Sequence, residues 1–178
     1  KVTKAMEAVS AVKMRKSQER ALGGRPYAHA ALSILSRIAP SLLTIRHPLT
    51  ESRPGTRTLV VLITSDKGLA GNLNNAVLKE AQRVTANIPK NDAAFICLGR
   101  RGYEFFEKRG YRILSHRINV ADDVSIEDLA EIGNEAVRHF LANDCDRVVV
   151  VHQNFKSTFE QEPRASTILP LDAAALAE

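Results

Sequence analysis

The stretch Ser65-Asp66-Lys67-Gly68-Leu69-Ala70-Gly71-Asn72 sets a hydroxyl, a carboxylate, an ammonium and two glycines directly after an apolar run. Groups of this kind, between a strand and a helix, can cradle a phosphate on backbone amides. A P-loop needs two glycines five apart followed by Lys and Ser or Thr, and a dinucleotide loop needs three glycines in a G-x-G-x-x-G array. Here Gly68 and Gly71 are three apart, Lys67 precedes both, and no third glycine follows. No acidic residue stands at a strand end about 20 residues on, where a ribose would be held. Spacing therefore favours a tight structural turn built on Asp66, Gly68 and Gly71, with Asp66 and Asn72 capping backbone amides. No nucleotide or other cofactor is expected.

Other reactive side chains are scattered. Ser65 and Asp66 have no neighbouring His to make a nucleophilic set. The five histidines (29, 47, 116, 139, 152) lack metal-ligand spacing, so no metal site is expected. Asp122 and Asp123 precede a helical pattern, where carboxylates favour the helix dipole. Cys97 lies in an apolar run and Cys145 in "NDCDR"; two such thiols make no disulfide framework. No catalytic residue emerges.

The elements around the loop form an alternating series. Apolar runs at 58–63, 93–98, 111–114 and 147–152 read as strands, and the first and last are apolar on both faces, as central parallel strands are. Leu73, Val77, Ala81, Val84 and Ile88 form one helical stripe. A short helix follows Gly99, with Tyr103 and Phe106 inward and Gly110 as its stop. Ser125 can cap a further helix whose Ile126, Leu129, Ile132, Ala136 and Phe140 line one face. "TFEQEPRASTIL" reads as a final, more exposed strand. The expected fold is α/β, an open, mostly parallel, Rossmann-like sheet flanked by helices.

A chain of 178 residues that is 44% apolar can bury a sizeable core. It has no secretory leader pattern and no apolar run near the ~20 residues that span a bilayer. Its charge is unevenly placed. Residues 1–25 hold seven basic and two acidic residues, which accounts for the whole excess of +5.

That basic segment, "KVTKAMEAVSAVKMRKSQERAL", has no Pro or Gly and is rich in helix formers. Val2, Ala5, Val9 and Val12 recur at three- and four-residue spacing and make a narrow seam suited to one partner helix. The chain opens inside this helix with no capping residue, which implies a start upstream. Gly23, Gly24 and Pro26 should bend or break the helix, and Pro40 should end it. The expected organisation is a truncated coiled-coil helix at 1–40, a surface linker at 41–57, a globular domain at 58–171, and the start of a further helical region at 172–178.

Three blocks in register carry a family resemblance: "TKAMEAVSAVKMRKSQ" (3–18) with "RPY" (25–27), "TSDKGLAGNLN" (64–74), and "NFKSTFEQEPRASTILPL" (154–171). Together they resemble the gamma subunit of F-type ATP synthases over essentially the whole chain. Ala70 and Asn72 stand where many relatives carry Cys and Gly or Ser, and the cysteine insertion of chloroplast relatives is absent. The resemblance implies a rotor subunit of the central stalk, not itself an enzyme, that couples proton-driven rotation to ATP synthesis and hydrolysis. It implies partners in the alpha and beta subunits of the catalytic ring, the epsilon subunit and the membrane c-ring. It places the protein on the cytoplasmic face of a bacterial plasma membrane, or on the mitochondrial matrix side in a eukaryote, without membrane insertion. Carried over by position, Lys4, Met6, Lys13, Arg15 and Lys16 would contact the alpha/beta ring. The seam of Val2, Ala5, Val9 and Val12 would face a C-terminal helix absent from this chain.

Two other readings compete. A nucleotide-binding enzyme would rest on the loop's position alone. A nucleic-acid-binding module would rest on the basic helix, which has no aromatic residue before Tyr27 to stack on a base.

Overall fold

The computed structural model describes residues 2–68, 70–119 and 124–177, and these fall into two compact units, residues 1–45 with 173–178 and residues 46–172. Asp122 and Asp123 lie outside the described residues, as does the side chain of Val2.

The first unit is helical. Helix α1 runs unbroken over Val2–Thr44, with Pro26 and Pro40 inside it. Each proline removes one main-chain donor and crowds the preceding turn, yet the turns on either side close. Beyond Pro40 the Ile45 amide donates to the Ser41 carbonyl at 3.1 Å, and the Thr44 hydroxyl reaches the same carbonyl at 2.9 Å. The end expected at Pro40 is thus displaced to Thr44. Ala31, Leu35, Ala39 and Leu42 make the covered stripe of α1, and the short helix α5 (Ala173–Ala177) packs on α1 in the same unit. Tyr27, Ile34 and Ile38 stand outside that stripe and are exposed.

The second unit is a five-stranded sheet in the order β3-β2-β1-β4-β5, built from β1 (Thr58–Ile63), β2 (Ala93–Leu98), β3 (Arg112–Arg117), β4 (Arg147–Phe155) and β5 (Gln161–Leu169). Strands β1 to β4 are parallel, and β5 returns antiparallel along β4. The doubly apolar β1 sits centrally because both of its faces are covered. Val60 and Leu62 meet Phe95, Cys97 and Val151 beneath α2 (Leu73–Thr85) and α3 (Arg100–Glu107). Leu59 and Val61 face the other way with Ile96, Leu98 and Val148, beneath α4 (Ile126–Leu141). Phe95 stacks on Phe106 at 4.1 Å between centroids, with Tyr111 edge-on. Each such buried side chain contributes about 1.5–3 kcal/mol.

A capping box starts α4. Ser125 Oγ accepts the Asp128 amide at 3.0 Å, and Asp128 Oδ2 accepts the Ser125 amide at 3.1 Å. Hydrogen bonds from Ser125 hold the Asp128 carboxyl below the usual carboxylate range. Only the C-terminal half of the expected face is buried (Ile132, Ala136, Phe140); Ile126 is 81% and Leu129 49% exposed.

Residues 46–57 lie strapped across the amino ends of the strands instead of running free. Arg53 donates to the carbonyls of Phe140 (2.6 Å) and Cys145 (2.8 Å) and stacks its guanidinium 3.9 Å from the Phe140 ring centre. Arg57 pairs with buried Asp146 at 2.8 Å and gives it its own main-chain amide at 3.0 Å. The Leu171 amide donates to the Leu49 carbonyl at 2.7 Å, tying the two ends of this unit together.

Candidate functional site

The glycine loop lies between β1 and α2, at the carboxyl edge of the sheet and at the point where strand order reverses between β1 and β4. Open α/β sheets bind ligands at such points, so the loop's bonding decides what it can hold. Asn74, buried in the first turn of α2, turns back into the loop. Its Oδ1 accepts the Ser65 amide at 3.0 Å, and its Nδ2 donates to Ser65 Oγ at 2.8 Å and to the Lys67 carbonyl at 3.2 Å. The Ser65 hydroxyl spends its proton on the Lys67 carbonyl at 2.7 Å. The Ser65 hydroxyl and amide and the Asn74 side chain are thus committed to closing the loop itself.

Asp66 crosses to the next connection. Its Oδ1 accepts the Arg100 amide at the start of α3 and the Asn119 amide, both at 2.9 Å. It therefore places a negative charge where an anion would meet the N-terminus of α3. Asp66 caps amides, as its sequence position suggests, but 34 and 53 residues away. Asn72, expected to cap its own helix, makes no side-chain cap bond; Asn74 does the turn-closing work. Gly71 adopts φ +58°, which requires a residue without a Cβ penalty, whereas a Cβ on Gly68 would meet nothing within 4 Å.

The more constrained glycine is Gly99. It has φ +94°, and a Cβ there would lie 2.0 Å from the Thr64 carbonyl oxygen. The β1 and β2 ends are stitched at this contact by Thr64 N–H to the Leu98 carbonyl (2.8 Å) and Gly102 N–H to Thr64 Oγ1 (2.8 Å). A lone glycine before a helix gives no sequence signal for such a close approach.

Both thiols are free and buried, Cys97 on the α2/α3 face and Cys145 on the α4 face. Burial pushes the Cys97 thiol up to about 12 and the Cys145 thiol up to about 11, away from nucleophilic reactivity. Tyr103 donates a hydrogen bond to Glu107 and stacks 4.1 Å from His116; the carboxylate partner raises the phenol pKa. His139 Nδ1 and Asp144 Oδ2 are 2.8 Å apart. Among the described residues no group of three His, Cys, Asp or Glu is placed to hold a metal. No described helix is long and apolar enough to cross a membrane.

The basic helix offers the second surface. Lys4, Met6, Lys13, Arg15 and Lys16 are all exposed on the first turns of α1. Arg15 pairs with Glu19 one turn on at 2.9 Å. Ala5, Val9 and Val12 are exposed as well, the two valines at 57% each. An apolar seam and a basic flank thus share one open helical segment.

Comparison with known proteins shows the family of the chain. A family model described as ATP synthase matches residues 1–178. The ATP synthase gamma chain of Chlorobaculum tepidum is 37% identical over 176 residues, covering 96% of this chain and 60% of that protein. That of Halothermothrix orenii is 38% identical over 172 residues, covering 96% and 59%. The chain thus spans about three fifths of the length of the curated relatives it matches. Among solved structures, one chain of the Tetrahymena thermophila mitochondrial ATP synthase central stalk and c-ring superposes with a TM-score of 0.72 at 24% identity, covering 96% of this chain and 73% of that one. A chain of the Euglena gracilis mitochondrial ATP synthase rotor gives 0.50 at 14% identity, covering 89% and 63%. At these identities the superpositions speak for the fold.

Proposed function

This chain belongs to the ATP synthase gamma-chain family, and from that premise we propose that it is the central-stalk rotor subunit of a proton-translocating F-type ATP synthase. In this reading it carries no catalytic site. ATP is made and hydrolysed in a ring of alpha and beta subunits, and the chain couples that chemistry to rotation of a membrane c-ring. The epsilon subunit is a further partner of the stalk. The protein lies peripheral to the membrane, on the cytoplasmic side in a bacterium and the matrix side in a mitochondrion.

The observation that carries the proposal is the open first half of α1. Its seam of Ala5, Val9 and Val12 has the width that a single partner helix covers. Lys4, Met6, Lys13, Arg15 and Lys16 then face the ring. An asymmetric shaft makes different contacts with chemically identical sites at each angle. That supplies the differential free energy a conformational change requires. The loop of Asp66, Gly68 and Gly71 is a structural turn in this reading and binds no nucleotide, as its internally committed hydrogen bonds favour.

The test reverses charge. In a reconstituted full-length complex, Lys4→Glu, Lys13→Glu and Lys16→Glu together should leave assembly intact and lower ATP-driven proton pumping several-fold, because charge complementarity sets register at such a contact. The loss should vary with salt, since exposed charges are screened over ~10 Å. The same reversal at Lys79 and Lys108, exposed on the globular unit, should do little. Equal effects from both sets would refute the assignment of the basic helix.

A further inference from the structure

Helix α4 is seated on the sheet along only part of its length. Its C-terminal half is anchored: Ile132, Ala136 and Phe140 are buried, and Arg53 holds the Phe140 carbonyl. On the β3 side two polar contacts hold it, Ser115 Oγ to Glu135 Oε2 at 2.9 Å and Arg117 to Glu131 at 3.7 Å. Toward β4 and β5 the helix stands off and leaves an apolar cavity of about 310 Å³. Val61 and Ile63 of β1 and Val148 and Val150 of β4 form its floor, with Leu129 and Gly133 in its wall. That volume falls at the lower end of the ~300–1,000 Å³ typical of small-molecule sites. The cavity lies under the β1/β4 switch point, and its exposed rim residues, Ile63 and Leu129, stand at the carboxyl end of β1 and in the first turn of α4.

Two features point to what would fill it. The first is Gly133, in the middle of α4, where glycine costs about 1 kcal/mol relative to alanine. A Cβ there would meet nothing within 4 Å, so no packing within the described chain asks for glycine. Its bare backbone widens the cavity. The second is charge. Val150 pairs with Ser166 at the floor, and the next row on the same sheet face is His152 opposite Arg164. That row lies roughly 7 Å further along the strands, within reach of an arginine side chain from the mouth. Two of the helix's acids, Glu131 and Glu135, turn away toward β3. The next acid on that face, Glu162, pairs with Lys156 at 3.0 Å, so Arg164 sets one cation beyond an apolar interior, which matches a molecule with an aliphatic body and one negative head.

We propose that the cleft between α4 and the sheet binds a small monocarboxylate amphiphile, its chain in the cavity and its carboxylate at His152 and Arg164. The site stands on the globular unit alone and is independent of the rotor assignment.

Calorimetric titration of the 178-residue chain with decanoate and with decanol tests it. Decanoate should bind saturably at one site per chain. Gly133→Leu, which fills the cavity from an open position, should abolish binding of both ligands while keeping or raising the thermal midpoint. Arg164→Ala should weaken decanoate about fivefold, the scale of an exposed charge pair, and leave decanol unchanged. Ile168→Glu, at an exposed rim position, should weaken decanoate at least tenfold and keeps the test decisive if Gly133→Leu fails to fold. No saturable decanoate binding, or binding indifferent to these changes, overturns the proposal. So does sedimentation of the chain with oleate-doped phosphatidylcholine vesicles in the absence of decanoate binding, which would mark a bilayer surface as the source of the carboxylate.

Discussion

Gly99→Ala places a methyl carbon 2.0 Å from the Thr64 carbonyl oxygen and 2.6 Å from the Thr64 carbonyl carbon. Both are main-chain atoms at the end of a central strand, so neither can swing aside as a side chain would. The substitution first incurs the strain of a Cβ at φ +94°, about 1–3 kcal/mol. Relieving the overlap then requires the β1 and β2 ends to part by more than an ångström. That breaks Thr64 N–H to the Leu98 carbonyl and Gly102 N–H to Thr64 Oγ1, at about 1 kcal/mol each. The total is about 3–5 kcal/mol. With a urea dependence near 2 kcal/mol/M, the unfolding midpoint falls by ~1.5–2.5 M. The two cysteines make a selective assay, because both are buried in the α/β unit and α1 contains none. Thiol labelling at graded urea therefore reports this unit without interference from the long helix. Gly71→Ala, at φ +58° in open space, should cost about 1 kcal/mol. Gly68→Ala should change stability by less than about 0.5 kcal/mol. If Gly99→Ala proves as mild as Gly68→Ala, the close approach of the two strand ends does not hold the loop and the reasoning fails.

Three further outcomes follow from the same contacts. Asp146 is held below the usual carboxylate range chiefly by the side-chain hydrogen bond from Arg57, so its stabilisation is complete above the unfolded value of ~3.9 and is lost as pH falls through the lower native value. Urea midpoints between about pH 5 and pH 2 should fall more steeply for the parent than for Asp146→Asn; parallel slopes would refute this. Cys97 and Cys145, with thiols raised to about 12 and about 11 by burial, should react with iodoacetamide at mildly alkaline pH only through unfolding, at least a hundredfold more slowly than in the denatured chain; rates within tenfold would contradict their burial. Amides of residues 3–22 should exchange far faster than those of 59–62 and 148–151 in a dilute chain, because an uncovered helix is marginal; equal protection would mean the seam is already covered.

The sheet is legible in the sequence because its central strands are apolar on both faces, and Leu59–Leu62 and Val148–Val151 are hydrophobic at every position. Ser125 is legible for the same local reason, since its cap partner is three residues away. What local pattern misses is decided by distant groups. Asp66 reads as a cap for backbone amides, but nothing local shows that those amides belong to Arg100 and Asn119 in other connections. Gly99 carries no mark of the carbonyl beside it. Residues 46–57 have the composition of a linker, and distant partners such as Phe140, Cys145 and Asp146 turn them into a strap. Ile126 and Leu129 obey helical periodicity, yet period alone cannot say where a helix leaves its sheet. Pro40 is a strong local stop signal, and the Ser41 carbonyl, by accepting two bonds, outweighs it.

The Leu49–Leu171 hydrogen bond sets how this fold would carry force. Leu171 follows the antiparallel edge strand, whose ladder with β4 begins at Val148 and Leu169. Tension on residue 172 would otherwise open that ladder one rung at a time, the weakest way to load paired strands. The tie to Leu49, with Leu49 and Leu171 both packed on the α4-side core, meets the load first and hands it to the strap. From there it passes through Arg53 and Arg57 into the start of β4. A load applied at the two ends of this unit would thereby be shared between an edge and a central strand, so that the sheet resists peeling from its rim.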